Sequence, residues 1–124
     1  MKPRIAVVED NPDNRFLVQA LLEDLYDLSE YESGTSALEG LLDDRPDLVL
    51  LDISLPDMDG TEVLRWISDQ EELVDVPVVA LTAHAMSGDR EKFLAEGFHD
   101  YVTKPIVDES ILLETIARWL KSPE

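Results

Sequence analysis

Short apolar runs and helical stripes alternate along the chain, and this alternation predicts the elements of its fold. Runs of about four apolar residues bounded by turn signals are typical of buried strands. Between these runs, apolar residues recur three or four positions apart, as they do on one face of a helix. The pattern predicts strands at 5–8, 27–32, 48–51, 78–81 and 101–103, the second of them short and poorly apolar.

Five helices are predicted between and after these strands. Asn11 and Pro12 are residues favoured at the N-cap and first position of a helix. Ser33 and Gly34 open the second helix, and Gly97 is expected to end the fourth. The apolar stripes consist of Phe16, Leu17, Leu21, Leu22 and Leu25, then Ala37, Leu38, Leu41 and Leu42, then Val63, Leu64 and Ile67, and finally Ile111, Leu112, Thr115, Ile116, Trp119 and Leu120.

The regular alternation of strand and helix predicts one α/β domain covering residues 1–124, with no output domain after it. We expect a doubly wound, five-stranded parallel sheet of flavodoxin-like order 2-1-3-4-5, with helices on both faces and the poor second strand at an edge. In such sheets ligands bind at the carboxyl ends of the strands, at the switch point between the first and third strands.

Polar residues stand at the carboxyl ends of four predicted strands. Glu9 and Asp10 follow the first strand, Asp52 the third, Thr82 the fourth and Lys104 the fifth. Each residue alone has an ordinary interpretation as a cap, a turn residue or a solvated charge. Parallel strands bring all of them to one edge, however, where the carboxylates would repel one another without a cation between them. Together they indicate a functional site.

The chemistry of these residues indicates Mg²⁺ and phosphoryl transfer. Oxygen ligands without cysteine or clustered histidine favour a hard cation, and Mg²⁺ held by few carboxylates keeps positions open for phosphate oxygens. Lys104 offers a point charge and Thr82 a hydroxyl donor for a phosphoryl group. Carboxylate nucleophiles can form aspartyl phosphates, and positioning plus charge neutralisation is most of what phosphoryl transfer needs.

Composition limits the possible binding partners and the cellular location of the protein. The chain has 28 acidic and 10 basic residues and a formal net charge of -18. This charge argues against direct nucleic-acid binding and suits a cation or a basic protein surface. No apolar run is long enough to span a membrane, and the N-terminus lacks the features of a signal peptide. The absence of cysteine fits a cytoplasmic location.

Four stretches together resemble the response-regulator receiver domain of bacterial two-component signalling. They are residues 8–11, 51–60, 80–83 and 101–106, and the resemblance covers essentially the whole chain. It implies that Asp52 accepts a phosphoryl group from a histidine kinase or a histidine phosphotransfer protein. Stretches 9–15 and 81–86 look most like single-domain regulators and the receivers of hybrid kinases.

The resemblance also implies a metal site. Glu9, Asp10 and Asp52 would hold Mg²⁺ directly or through water, with the backbone carbonyl of Ser54 as a further ligand. The acidic pair is Glu-Asp instead of Asp-Asp, a variation that leaves metal binding intact. In this family the position of Ser54, together with that of His84, helps to set the lifetime of the phosphoryl group, so the lifetime is left open.

The resemblance further implies a switch formed by residues of the fourth and fifth strands. Lys104 would pair with the phosphoryl group, and the Lys104–Pro105 peptide would be cis. Thr82 would move to bond the phosphoryl group, and Tyr101 would swing inward behind it. The signal would leave by contact with a downstream protein partner or by phosphorelay.

The function expected is therefore a phosphorylation switch, not an enzyme acting on other substrates. The alternative is a constitutive docking module that keeps the fold without using phosphate, although degenerate receivers usually lose residues that this chain retains. A phosphatase is a third possibility, because residues 57–61 mimic the nucleophile motif of haloacid-dehalogenase-like phosphatases. Asp52 already occupies the strand end that this motif would need.

Overall fold

The computed structural model describes residues 3–53, 55, 57–82, 89–103 and 109–120. Five parallel strands form one sheet in the order β2-β1-β3-β4-β5. The predicted doubly wound fold of order 2-1-3-4-5 with five helices is confirmed. The elements are β1 (Arg4–Val8), α1 (Pro12–Leu22), β2 (Asp27–Tyr31), α2 (Gly34–Gly40), β3 (Leu48–Asp52), α3 (Gly60–Asp69), a 3₁₀ turn (Glu71–Leu73), β4 (Val78–Thr82), α4 (Asp89–Glu96), β5 (Asp100–Thr103) and α5 (Glu109–Leu120).

The central strands are apolar because helices cover both faces of the sheet. All five positions of β3 and of β4 are buried, whereas the edge strand β2 has one buried position in five. One core lies between the sheet and α2, α3 and α4, and a second lies against α1 and α5. Strand residues alternate between the two cores, so that Leu51 faces the first and Leu50 the second.

Three predicted helix boundaries are confirmed by their capping contacts. The side chain of Asn11 accepts hydrogen bonds from the first-turn amides of α1, and Pro12 occupies its first position. Ser33 caps α2 in the same way. Gly97 follows the last residue of α4 with a φ of 116°, a left-handed conformation that favours glycine.

The predicted apolar stripe of α1 is wrong at two positions. Phe16 is 71% exposed, and Leu25 lies in the turn after the helix, also exposed. The residues that α1 buries are Val18 and Leu22. Because a helix turns about 100° per residue, Phe16 points to the side opposite Val18. In α5, similarly, Leu112 is buried and Ile111 is exposed. Within the described part of the chain, no helix has both the length and the apolarity needed to cross a bilayer.

Candidate functional site

Three carboxylates meet at the carboxyl end of the sheet, and we call them the acid rim: Glu9, Asp10 and Asp52. Each offers an oxygen atom, and these oxygens all lie within 4.8 Å of one another. Val8 of β1 pairs with Leu51 of β3, so the next residues along the two adjacent strands are Glu9 and Asp52. Both of these are buried, whereas Asp10 is exposed. The predicted convergence of the three acids is therefore present.

The backbone of the β1–α1 turn is held by contacts from several elements. The amide of Glu9 donates to the carbonyl oxygen of Tyr31 at 2.9 Å, and the amide of Asn11 donates to Glu9 Oε2 at 3.2 Å. Arg15 of α1 donates from Nη1 to the carbonyl oxygens of Glu9 at 2.9 Å and Asp10 at 3.2 Å. Sequence reasoning did not single out Arg15, because an arginine in the first turns of a helix is usually a solvated charge.

A glycine closes the β3–α3 loop onto the end of β3. A Cβ atom at Gly60 would lie 2.7 Å from Ile53 Cα and 2.8 Å from the carbonyl oxygen of Asp52. The amide of Gly60 donates to the carbonyl oxygen of Ile53 at 2.9 Å. Backbone atoms cannot move aside as a flexible side chain can, so any larger residue would displace the chain beside Asp52.

Asp57 fastens the same loop to the start of α2. Its Oδ1 accepts a hydrogen bond from the amide of Gly34 at 2.9 Å. Its Oδ2 accepts from the amide of Thr35 at 2.9 Å and from Thr35 Oγ1 at 2.5 Å. These bonds, those from Thr35 foremost, lower the pKa of Asp57 to about 2. The loop that leaves Asp52 is thus joined to a second helix by a carboxylate.

Thr82 and Tyr101 lie on the other side of Asp52, toward the β5 edge. Thr82 is the buried last residue of β4, and Asp52 pairs with the residue before it, Leu81. Tyr101 lies on β5, where it is partly buried and packs against the core beneath α3 and α4. The structure thus places Thr82 beside the acid rim and Tyr101 one strand further along.

Tyr101 belongs to a group of three rings, which we call the aromatic cluster: Phe93, Phe98 and Tyr101. The rings of Phe93 and Tyr101 have centroids 5.5 Å apart, and those of Phe93 and Phe98 are 6.1 Å apart in an edge-to-face arrangement. Phe93 lies on α4. The cluster therefore connects β5 to α4 through aromatic contacts.

Several predicted features lie outside the described residues. They are the carbonyl of Ser54, the side chains of His84 and Lys104, and the Lys104–Pro105 peptide. Their predicted roles stay predictions. The described part of the site can be compared with the chemistry of Mg²⁺, which prefers carboxylate oxygens and water. The acid rim supplies only oxygen ligands, two of them buried, and so fits this cation.

Comparison with known proteins assigns the family. The family model of the response regulator receiver domain matches residues 5–117.

The chain belongs to the response regulator receiver family.

Its relatives include both separate regulators and parts of sensor proteins. This receiver domain is 40% identical over 121 residues to the polar-differentiation response regulator DivK of Brucella ovis, covering 97% of this chain and 98% of DivK. It is also 40% identical over 121 residues to the sensor protein GacS of Pseudomonas syringae pv. syringae. That match covers 94% of this chain but only 13% of GacS, so the chain spans a small part of that relative.

A solved structure adds information on the site. The receiver domain of the sensor histidine kinase PA1611 from Pseudomonas aeruginosa PAO1 is 37% identical and superposes with a TM-score of 0.87. The match covers 98% of this chain and 100% of that one. Its structure contains a magnesium ion coordinated in the active site cleft. This chain is therefore a receiver domain of two-component signalling by fold and by family.

Proposed function

We propose that this receiver domain is a switch that accepts a phosphoryl group on Asp52 from a histidine kinase or a histidine phosphotransfer protein. The observation that carries the proposal is the acid rim, in which two buried carboxylates and an exposed one approach within 4.8 Å. Like charges this close repel one another, and a cation bound between them would offset the repulsion. Magnesium in the PA1611 receiver supports the same proposal.

In this proposal the acid rim would hold the metal ion, and Asp52 would also be the nucleophile. Glu9, Asp10 and Asp52 would hold Mg²⁺, which would neutralise charge on the phosphoryl oxygens. An Asp52 oxygen would form a bond to phosphorus as the bond from phosphorus to the donor's histidine nitrogen breaks, and the electron pair of that bond would stay on the imidazole. Burial of Asp52 beside a fixed backbone would hold the nucleophile in position for this transfer.

The readout of phosphorylation would begin at the neighbouring strand. Thr82 ends β4 next to Asp52, and its hydroxyl would donate to a phosphoryl oxygen. Lys104 would pair with the same group as a point charge. Movement of Thr82 would let Tyr101 change its position in the aromatic cluster, which would alter the surface of α4, β5 and α5 that a partner protein contacts.

The relatives support the choice of phosphodonor. The chain matches parts of a sensor protein and of a sensor histidine kinase, as well as a response regulator of almost its own length. We propose a histidine kinase or a histidine phosphotransfer protein as donor and a protein, not a nucleic acid, as the contact that receives the signal. The formal charge of -18 would repel a phosphate backbone.

The test is the intact mass of the protein after incubation with acetyl phosphate. We expect one phosphoryl adduct that forms with Mg²⁺, is absent with excess chelator, and is stable in acid but lost in base. Asp52→Asn should abolish the adduct. The matched control is Asp69→Asn, which neutralises an exposed carboxylate at the end of α3 and should leave the adduct unchanged.

The opposite result would favour the constitutive docking module. If no adduct formed with acetyl phosphate or with a phosphohistidine donor, and beryllofluoride did not bind either, phosphoryl acceptance would be rejected. An adduct that persisted in Asp52→Asn would reject Asp52 as the acceptor.

A further inference from the structure

We propose that Arg15 is a positioning residue that holds the β1–α1 turn in the shape that brings the Glu9 and Asp10 carboxylates together. This inference rests on the proposed metal site and adds to it a residue that would not touch the metal. Arg15 donates from one nitrogen, Nη1, to the carbonyl oxygens of Glu9 and Asp10 at 2.9 and 3.2 Å. The guanidinium therefore binds the backbone of both acids of this turn.

The need for such a residue follows from strand geometry. In an extended strand, successive side chains point to opposite faces, and successive carbonyl groups also point in opposite directions. Glu9 and Asp10 directly follow β1, which ends at Val8, and both carboxylates reach the same 4.8 Å group with Asp52. Their two carbonyl oxygens also approach the same nitrogen of Arg15. The chain must therefore turn at these two residues, and Arg15 contacts the turn on its carbonyl side.

The start of α1, which carries Arg15, is held by hydrogen bonds of its own. Its amide donates to the carbonyl oxygen of Asn11 at 3.0 Å, in the first turn of α1. The Asn11 side chain caps this helix by accepting from the amides of Asp13 and Asn14 at 2.8 and 3.1 Å. Arg15 is only partly exposed. The capped helix thus fixes the backbone from which the Arg15 side chain reaches the turn, and its two hydrogen bonds hold the guanidinium against the carbonyls of the acids.

Simple electrostatics predicts the opposite effect from positioning. Arg15 brings a positive charge near the acid rim, and a positive charge repels Mg²⁺. If charge dominated, removal of the guanidinium would strengthen Mg²⁺ binding. If positioning dominates, the same removal would release the turn, let the carboxylates diverge and weaken binding. The sign of the change in Mg²⁺ affinity therefore separates the two effects.

The experiment compares Mg²⁺ binding by the wild type, Arg15→Met and Arg15→Lys with isothermal titration calorimetry on chelator-treated protein. We expect Arg15→Met to weaken Mg²⁺ binding about tenfold, as loss of an outer-shell partner of a metal site does. Methionine keeps a long unbranched side chain with good helix propensity, so α1 should still form. Arg15→Lys should restore most of the affinity, because an ammonium group can also donate to two carbonyls.

The matched control is Arg65→Met, which removes the same charge from the exposed face of α3. It should leave Mg²⁺ affinity unchanged. Urea unfolding without Mg²⁺ gives the second measurement, since loss of general stability alone would lower the midpoint without a change in the affinity of the folded protein. In ¹H–¹⁵N spectra, the backbone amide signals of Asp10 and Asn11 should shift in Arg15→Met. In Arg15→Lys they should return toward their wild-type positions.

The outcomes have distinct meanings. Unchanged or stronger Mg²⁺ binding by Arg15→Met, with binding by the wild type intact, would overturn the role of Arg15 and leave the proposed function standing. Equal weakening by Arg15→Met and Arg65→Met would overturn it too, because the effect would then not be local. Absence of Mg²⁺ binding by the wild type would overturn both the inference and the proposed metal site.

Discussion

The acid rim lies at the ends of β1 and β3 and the aromatic cluster at β5 and α4, and different interactions hold them. Around the rim, directional hydrogen bonds from Arg15 and to Asp57, and a close approach at Gly60, hold the backbone. In the cluster, Phe93 contacts Phe98 and Tyr101 through ring faces and edges, with centroids 5.5 to 6.1 Å apart.

These two kinds of contact respond differently to movement. A hydrogen bond weakens steeply when its angle or distance changes, so the rim is suited to keeping three oxygens in place. Aromatic pairs accept a broad range of angles and offsets, as the interplanar angles of 47° and 88° illustrate. The comparison supports our proposal that the rim binds a cation and that the cluster rearranges on phosphorylation.

The largest effect is expected from Gly60→Ala. The added Cβ would meet the backbone of Ile53 and Asp52, and we expect a loss of about 2–3 kcal/mol in the free energy of unfolding, the upper part of the range for overpacking. Gly34→Ala is the matched variant, because its nearest obstacle is the flexible side chain of Met58. Urea unfolding should show a clearly larger loss for Gly60→Ala, and equal losses would show that the β3–α3 loop is not rigidly held.

Neutralising the exposed acid of the rim should weaken metal binding without weakening the fold. We expect Asp10→Asn to reduce Mg²⁺ affinity at least tenfold, or about 1.4 kcal/mol. Without Mg²⁺ its melting temperature should equal or exceed that of the wild type, because repulsion from Glu9 and Asp52 is relieved. The control is Asp13→Asn, which neutralises an exposed carboxylate in the first turn of α1 and should leave Mg²⁺ affinity unchanged. Unchanged Mg²⁺ affinity in Asp10→Asn would exclude this carboxylate from the site.

The aromatic cluster should transmit the state of the rim. We expect Tyr101→Leu to bind beryllofluoride and Mg²⁺, with amide shifts near Asp52 like those of the wild type and most of the shifts on α4 and α5 lost. Tyr26→Leu is the matched control, since Tyr26 packs against the other core. The measurement is a pair of ¹H–¹⁵N spectra for each protein. Full-sized shifts on α4 and α5 in Tyr101→Leu would reject this route.

The smallest effect is expected at Asp57, whose contact is exposed to solvent. Hydrogen bonds from Thr35 and Gly34 lower the pKa of Asp57 to about 2 from an ordinary value of 3.8. Its contribution to stability should therefore be complete above pH 3.8 and disappear as the pH falls toward 2. Relative to Asp57→Asn, the wild type should be more stable at pH 6, and this difference should shrink in acid.

Urea unfolding from pH 6 down to pH 2.5 measures that difference. Asp24→Asn, an exposed carboxylate in the turn after α1, removes one charge without removing these hydrogen bonds. A stability difference between the wild type and Asp57→Asn that stayed constant over this pH range would contradict the role given to its ionised form.

The fold and the acid rim could be predicted because each follows from a strong local pattern. Apolar runs such as 48–51 have few alternatives to a buried strand, and a parallel sheet brings the strand ends together whatever the loops do. The convergence follows because Glu9 and Asp10 come directly after β1 and Asp52 ends the adjacent strand β3.

The contacts that hold the rim could not be predicted in the same way. Asp57 accepts hydrogen bonds from Thr35 and Gly34, which lie 22 and 23 positions earlier in the chain. Its sequence context indicates only a turn. Arg15 resembles any charged residue on a helix until its distance to two carbonyls is known. The exposed position of Phe16 was mispredicted because the helix phase is set by Val18 and Leu22, and other apolar residues nearby allowed a different phase.

The most direct test of the proposed switch is to locate the phosphoryl group on the chain. The protein would be incubated with acetyl phosphate and Mg²⁺ and reduced with borohydride, which converts an aspartyl phosphate to homoserine, and its peptides would be analysed by mass spectrometry. We predict homoserine at position 52 alone, and none when Mg²⁺ is withheld. Homoserine at Asp10 or Asp57 instead, or at no aspartate in protein shown to carry the adduct, would contradict phosphorylation of Asp52.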